Sequence, residues 1–343
     1  MSIDLSTQYL GFRLRNPLVA SASPLTGNVD SLARLEEAGI AAVVLPSLFE
    51  EQIEHEEVEI AKLFEYHTES FAESLTHFPE PDHVRTGPSD YLEHVEAAKR
   101  TVTVPVIGSL NGVSPGGWTR YAKWIEEAGA DALELNIYFI PTNPLITSSD
   151  VEQRYVDLVA SVTDSVTIPL AVKIGPTFSA LPNFSQRLVQ AGAKGLVLFN
   201  RYLEADIDLD TLQFTPDLVL SNRHEARGPI RWIAVLRDFL PTPKISLAAT
   251  SGVHRWQGAL KLLLAGADVT MMASALLKMG PPLIPRMLRD LQQWIEEHEY
   301  TSIEQLKGSM SQRNCPDPSA LVRANYMQAL KKYTWSPPLG EHR

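Results

Sequence analysis

One cysteine stands in 343 residues, Cys315 in the polar stretch SQRNCPDPSA. An intrachain disulfide is thereby excluded, as is an iron–sulfur cluster ligated by cysteines of this chain alone. A cysteine nucleophile is not expected either, because Cys315 lies outside the repeating core. Long apolar runs are missing too: none reaches the roughly 18 residues that a membrane-spanning helix needs. Positive charge is in deficit, with 30 Lys and Arg against 41 Asp and Glu, a net charge of -11 and a pI near 5.3. That balance argues against a nucleic-acid groove, which shows a basic face. The nine histidines have neither HExxH nor paired spacing, so no metal site is expected. The opening MSIDLSTQYLGFRLRN has no signal-peptide apolar core and no basic amphipathic leader, and the expectation is a cytoplasmic protein.

What is present is a rhythm. Apolar residues make up 44% of the chain and charged ones 21%, enough for one large core. Short apolar runs alternate with longer amphipathic segments. The candidate strands are PLVAS from Pro17, AAVVLPS from Ala41, PVIGSL from Pro105, ALELN from Ala132, LAVKIG from Leu170, GLVLFN from Gly195, KISLAAT from Lys244 and VTMMAS from Val269. Most are continuous runs, the pattern of strands covered by helices on both sides. Four helix ends carry nearly one phrase before the next strand: EAGIA, EAGADA, QAGAKG and LAGADV. Glycine there supplies the left-handed turn that ends a helix. Eight strands with helical patterns between them predict a (β/α)8 TIM barrel. An open doubly wound sheet is the alternative, but SASPLTGN in the first turn is not GxGxxG.

The barrel is expected over residues 1–308, with about 50–90 forming an excursion over its mouth. The acidic run Phe49 to Lys62, with His55 inside it, reads as a solvated helix face. Residues 309–343 read as a C-terminal arm with one helix around Leu321 to Lys331.

Reactive groups of such a barrel come from the C-terminal ends of its strands and the loops beyond. AATSGV (Ala248 to Val253) and MASAL (Met272 to Leu276) follow the last two strands. As short turns opening onto helices they are candidates for holding a phosphate; tight turns made of small residues is the plain alternative. Lys173 sits in an otherwise apolar strand, where alternation turns Ala171, Lys173 and Gly175 to one face. A buried ammonium needs an anionic partner, and a ligand developing negative charge is one candidate. Glu134, Asn136 and Tyr138 share a face of the fourth strand, and Asn200 ends the sixth. An amide both donates and accepts, which suits the edge of a heterocycle as well as it suits a neighbouring loop.

Asn136, Lys173, Asn200 and the two terminal turns, in that order, resemble the dihydroorotate dehydrogenase family, and most nearly its soluble class 1 members. LGFRLRNPLVASAS is similar to the family's opening hairpin and first strand, and EYTSIEQLKGSM to its closing phrase. The resemblance implies FMN as cofactor. Lys173 would lie by the pyrimidine side of the flavin and stabilise its anionic reduced form. Asn136 would touch flavin and substrate, and Asn200 substrate. Ser251, Gly252, Ala273 and Ser274 would present backbone amides to the FMN phosphate, and the turn at Ala22 and Ser23 would touch the ring system. A homodimer is a family-level expectation.

The substrate side departs from the family. Its loop after the fourth strand carries Cys or Ser as base in N-L-S-C-P-N or N-V-S-S-P-N, where this chain reads Asn136-Ile137-Tyr138-Phe139-Ile140-Pro141. A lysine after strand two is replaced by Leu45, a serine after Asn200 by Arg201, and a glycine-rich turn near strand six by SNRHEARG. Retained FMN with an altered substrate is the expectation. Tyr138, as a neutral phenol, is a candidate proton donor to a carbon being reduced, or else a wall of the site. Arg201 is a candidate for a substrate carboxylate or phosphate, a surface ion pair being the other reading. Two further readings stay open: a flavin-free barrel lyase or isomerase acting on a phosphorylated substrate, and a flavin-binding protein without dihydroorotate turnover.

Overall fold

The computed structural model describes residues 3–50, 52, 87–112, 118–202, 204–215, 218–240 and 244–322. The chain opens with a hairpin, β1 (Thr7–Tyr9) and β2 (Phe12–Leu14). The barrel follows as β3 (Leu18–Ala20), β4 (Ala42–Phe49), β5 (Val106–Asn111), β6 (Ala132–Asn136), β7 (Leu170–Ile174) and β8 (Gly195–Leu198). A second hairpin, β9 (Asp206–Asp208) and β10 (Gln213–Thr215), interrupts it before β11 (Ser246–Ala249) and β12 (Val269–Met272) close the cylinder. All ladders of the closed eight-stranded barrel are parallel, in the order β3-β4-β5-β6-β7-β8-β11-β12. Each of the eight runs singled out in the sequence is one of its strands.

Helices cover the outside: α1 (Val29–Glu37), α2 (Pro88–Thr101), α3 (Trp118–Glu127), α4 (Ser148–Ser165), α5 (Leu181–Gln190), α6 (Arg227–Leu236), α7 (Trp256–Ala265), α8 (Ser274–Met279) and α9 (Leu283–Glu297). Two short ones, α10 (Ile303–Leu306) and α11 (Ser319–Val322), come last. The alternation of β-strand side chains splits the core in two. Leu133, Leu135, Val172 and Leu196 point outward into the layer shared with the helices. Val19, Val44, Ile107, Ala132, Ala171, Val197, Ala248 and Met271 fill the barrel interior.

The first hairpin plugs the bottom of that interior. Tyr9, Leu10 and Leu14 pack into the inner cluster, and the Leu10 N–H donates to Ser246 Oγ at 2.9 Å. A side chain at Gly195 would meet Leu10 at 2.7 Å, so glycine there makes room for the plug. In β4 the register shifts between Val44 and Ser47, around Pro46; a proline cannot donate to a ladder, and a bulge accommodates it.

The four junction glycines, Gly39, Gly129, Gly192 and Gly266, all have φ between 98° and 122°, the left-handed conformation expected of them. Their repeated phrase carries a second device. Asp131, two residues after one such glycine, accepts the Val106 N–H at 2.7 Å, and Asp268, likewise placed, accepts the Leu247 N–H at 2.7 Å. Glu36 and Glu126, each three residues before a glycine, accept the backbone N–H groups of Thr103 and Thr167 at 3.0 Å. Acidic side chains thus take up backbone donors at strand entrances that the barrel ladder leaves unpaired.

Residues 308–312 return along the outer helices: the N–H groups of Gly308 and Met310 donate to Leu263 and Leu264 of α7, and that of Gln312 to Ala234 of α6. The expected arm starts here. Its expected helix over 321–331 lies outside the described residues except for its first turn in α11. The excursion expected over about 50–90, with His55, likewise lies almost wholly outside them.

Candidate functional site at the C-terminal end of the barrel

Three strands deliver the polar centre. On β6, Glu134 and Asn136 face the interior, and on β7 Lys173 stands in register with Asn136. The chain leaving β8 places Asn200 beside them, its N–H donating to the Ile174 carbonyl at 2.7 Å. Asn200 Nδ2 donates to Asn136 Oδ1 at 2.7 Å, so two amides chosen separately from the sequence meet. All four side chains are buried among apolar neighbours.

Lys173 finds its anionic partner within the protein. Its Nζ lies 3.3 Å from Glu134 Oε1, with only 9% and 1% of the two side chains exposed. The counter-charge expected from a ligand is therefore already supplied, which the sequence reading did not assign to Glu134. An ammonium carries three protons; among the described residues Glu134 is the partner found for them. Glu134 Oε2 and the hydroxyl of Tyr9 are buried with no hydrogen-bond partner among the described residues.

Around this centre the rim is built from loops. After β3, Ser21 is buried, its N–H bonded to the Met272 carbonyl. Ala22 packs onto the inner cluster, and the Ser23 N–H donates to Thr26 Oγ1 at 3.2 Å, opening a 3-10 turn over Pro24–Gly27. After β11, Ser251 and Gly252 are both left-handed, φ 71° and 79°, and a Cβ on Gly252 would sit 2.3 Å from the Ala226 nitrogen. Only the second of the two expected phosphate turns opens directly onto a helix: Ala273 is the N-cap of α8, whereas α7 starts at Trp256, beyond Val253, His254 and Arg255. The backbone N–H groups of Gly252 and Ser274 have no partner among the described residues. Ser274 Oγ accepts the Ser221 N–H at 3.2 Å, Ser221 Oγ lies 3.0 Å from His254 Nε2, and Lys278 Nζ donates to the Ser221 carbonyl at 3.2 Å. Burial and the Lys278 ammonium hold the His254 imidazole below its ordinary pKa, with Glu225 pulling the other way. The segment SNRHEARG thus lies over the two turns, joined through Ser221.

Beyond β6 the chain turns Phe139 outward onto the helix layer, where the Arg154 guanidinium stacks 4.5 Å from its ring centroid. Tyr138 is half-buried, its ring packed edge-on against Tyr202 at 4.4 Å and 68°. Tyr202 follows Asn200 by two residues, and the sequence reading missed it. Arg201 is tied by Nε to Glu225 Oε2 at 2.9 Å and by Nη1 to the Val219 carbonyl; of its two readings, the ion pair is the one present here. Arg201, Tyr202, Glu204, Asp206, Leu218 and Val219 border a side cavity of about 270 Å³.

A polar centre thus stands at the C-terminal ends of β6, β7 and β8, with small-residue turns after β11 and β12. The profile of the dihydroorotate dehydrogenase family matches residues 83–295, more than half of the chain. The chain belongs to the dihydroorotate dehydrogenase family. Over 317 residues it is 26% identical to the catalytic subunit of dihydroorotate dehydrogenase B (NAD(+)) of Thermoplasma volcanium, covering 89% of this chain and 98% of that one. Its counterpart in Methanosarcina acetivorans is 25% identical over 314 residues, 87% of this chain and 93% of the relative. The PreA subunit of NAD-dependent dihydropyrimidine dehydrogenase of Escherichia coli is 22% identical over 326 residues, 89% and 76% of the two chains. Among the dihydroorotate dehydrogenases this is a divergent member and a dihydroorotate dehydrogenase-like oxidoreductase. No helix among its described residues is long and apolar enough to cross a membrane.

Proposed function

We propose that the protein is an FMN-dependent oxidoreductase acting on a CH–CH bond of dihydroorotate or a related small carboxylate-bearing ring. The observation that carries this reading is the buried Lys173 ammonium, with Asn136 and Asn200 beside it, at the reactive end of the barrel. The residues fit FMN. Lys173 keeps protons beyond the one aimed at Glu134, free to stabilise negative charge on the ring's pyrimidine side. Asn136 and Asn200 offer amide donors and acceptors to cofactor and substrate edges. The unpartnered N–H groups of Gly252 and Ser274, with Ser251 and Ala273 beside them, suit its phosphate. Ala22 and Ser23 form the rim against the ring system. FMN when bound supplies a two-electron acceptor for hydride from a saturated ring carbon.

The chain's own contribution is orientation and proton handling. The Lys173–Glu134 pair fixes the ammonium, the Asn136–Asn200 pair fixes the amides, and a phenol at the mouth moves the proton. The strand pattern makes Tyr138 one candidate for that phenol, and Tyr202 packs against its ring. Arg201, held at the rim by Glu225, keeps further donors for a substrate carboxylate. A Schiff-base barrel enzyme is the weaker reading, since such a lysine must shed its proton and Lys173 is held in an ion pair. The hairpin β9–β10 exposes Ile207, Leu209, Leu212 and Phe214, an apolar face that suits a second copy of the chain.

The test is direct. Purified protein is titrated with FMN, and the loaded protein is mixed anaerobically with dihydroorotate and other dihydropyrimidines while flavin absorbance is followed. Bleaching by one of them supports the reading; a colourless protein that takes up no FMN refutes it.

A further inference from the structure

The geometry points to Tyr202 as the residue that delivers the proton to the substrate carbon next to the hydride-receiving one. This rests on the flavin reading above and goes beyond it by naming the acid. A Cβ on Gly175 would lie 2.6 Å from Tyr202 Oη. The phenol oxygen therefore rests on the backbone at the end of β7, two residues past Lys173, in the space that glycine leaves. In front of Tyr202 lies the side cavity with Arg201 on its wall. One ring edge packs on Tyr138. Behind it stands Tyr155 of α4, close enough for the two phenols to influence each other.

The Tyr155 hydroxyl donates to the Ile137 carbonyl at 3.4 Å. Burial, the largest cause, holds the Tyr202 phenol above its ordinary pKa, so it enters the reaction protonated, as an acid. Of the other groups at the mouth, the two amides are engaged with each other and Phe139 with the helix layer, while Tyr138 packs its ring on Tyr202.

In the reducing direction, one carbon of a ring C=C accepts a hydride from a reduced flavin. The electron pair of the double bond moves to the neighbouring carbon and takes the proton of Tyr202 Oη. The flavin N–H bond, the C=C π bond and one O–H bond break and two C–H bonds form, leaving oxidised flavin and a phenolate that regains its proton from mouth water. Tyr155 is a positioning residue in this scheme.

The experiment reduces the FMN-loaded protein with dithionite, mixes it anaerobically with orotate, and follows flavin reoxidation in the parent, Tyr202→Phe and Gly175→Ala proteins. Tyr202→Phe should bind FMN within about twofold of the parent and react slower by about 10²–10⁴, the usual worth of a positioned acid. Its rate profile should lose the fall above pH 10.0 that phenol ionisation gives the parent. Gly175→Ala, which pushes the phenol aside, should slow the same step at least about tenfold with FMN affinity kept. If Tyr202→Phe fails to fold, Gly175→Ala decides. A Tyr202→Phe rate within about threefold of the parent, or a retained high-pH fall, overturns the assignment and leaves the flavin reading standing. A parent that binds FMN but does not reduce orotate also overturns it for this ligand class. A parent that takes up no FMN overturns both.

Discussion

Replacing Glu134 by leucine removes the one carboxylate found beside the buried Lys173 ammonium among the described residues, and the cost can be worked from the geometry. At 3.3 Å the pair attracts by about 5 kcal/mol with an effective dielectric near 20. Burying the two charges costs several kcal/mol each. The intact pair therefore contributes little net stability, while an orphaned partner keeps its desolvation penalty without compensation. Glu134→Leu and Lys173→Met should each lose about 3–5 kcal/mol in urea unfolding. The double variant should lie within about 2 kcal/mol of the parent, because it buries no charge at all. Glu134 Oε2, which has no partner of its own among the described residues, adds to the expectation that the double change is well tolerated. The decisive quantity is the coupling in the double-mutant cycle, expected at about 4 kcal/mol or more from the two single losses less that of the double. Additive losses, with coupling under about 0.5 kcal/mol, would mean that the two groups do not form the pair described.

Three further outcomes are open to measurement. Gly252→Ala places a Cβ 2.3 Å from the Ala226 nitrogen at a φ of 79°; it should cost about 1–3 kcal/mol or more and weaken FMN retention, and unchanged stability refutes the packing. Tyr9→Phe deletes a buried hydroxyl without a partner among the described residues and should be neutral or stabilising by about 1–2 kcal/mol; a loss of that size points to a bound water instead. His254 is held below its ordinary value of 6.5 by burial first and Lys278 second, so folding disfavours its protonation. Its stabilising effect is complete above pH 6.5 and is lost as the pH falls through the lower folded value. The stabilities of the parent and His254→Gln should therefore converge on acidification, and an imidazole pKa above 6.5 by NMR titration contradicts this.

The sequence by itself determined the barrel. Eight buried strands, four glycine-terminated helix ends and the order of Asn136, Lys173 and Asn200 are one-dimensional signals, because alternation and helix capping act over a few neighbouring residues. The inward aim of Lys173 and the meeting of Asn136 with Asn200 at 2.7 Å follow from them once the barrel closes. Other features were decided only by the tertiary structure. That Glu134 is the counter-ion of Lys173, 39 residues away, depends on β6 and β7 lying in register. That Tyr202 rests on Gly175 and leans on Tyr155 depends on where a loop folds after β8 ends, and no periodicity governs a chain once it leaves its strand. Arg201's ion pair with Glu225 and the hold of Ser221 on Ser274 have the same origin. Local spacing tells which residues face the barrel axis; which of those residues touch is settled only when the closed cylinder and its loops bring distant segments together.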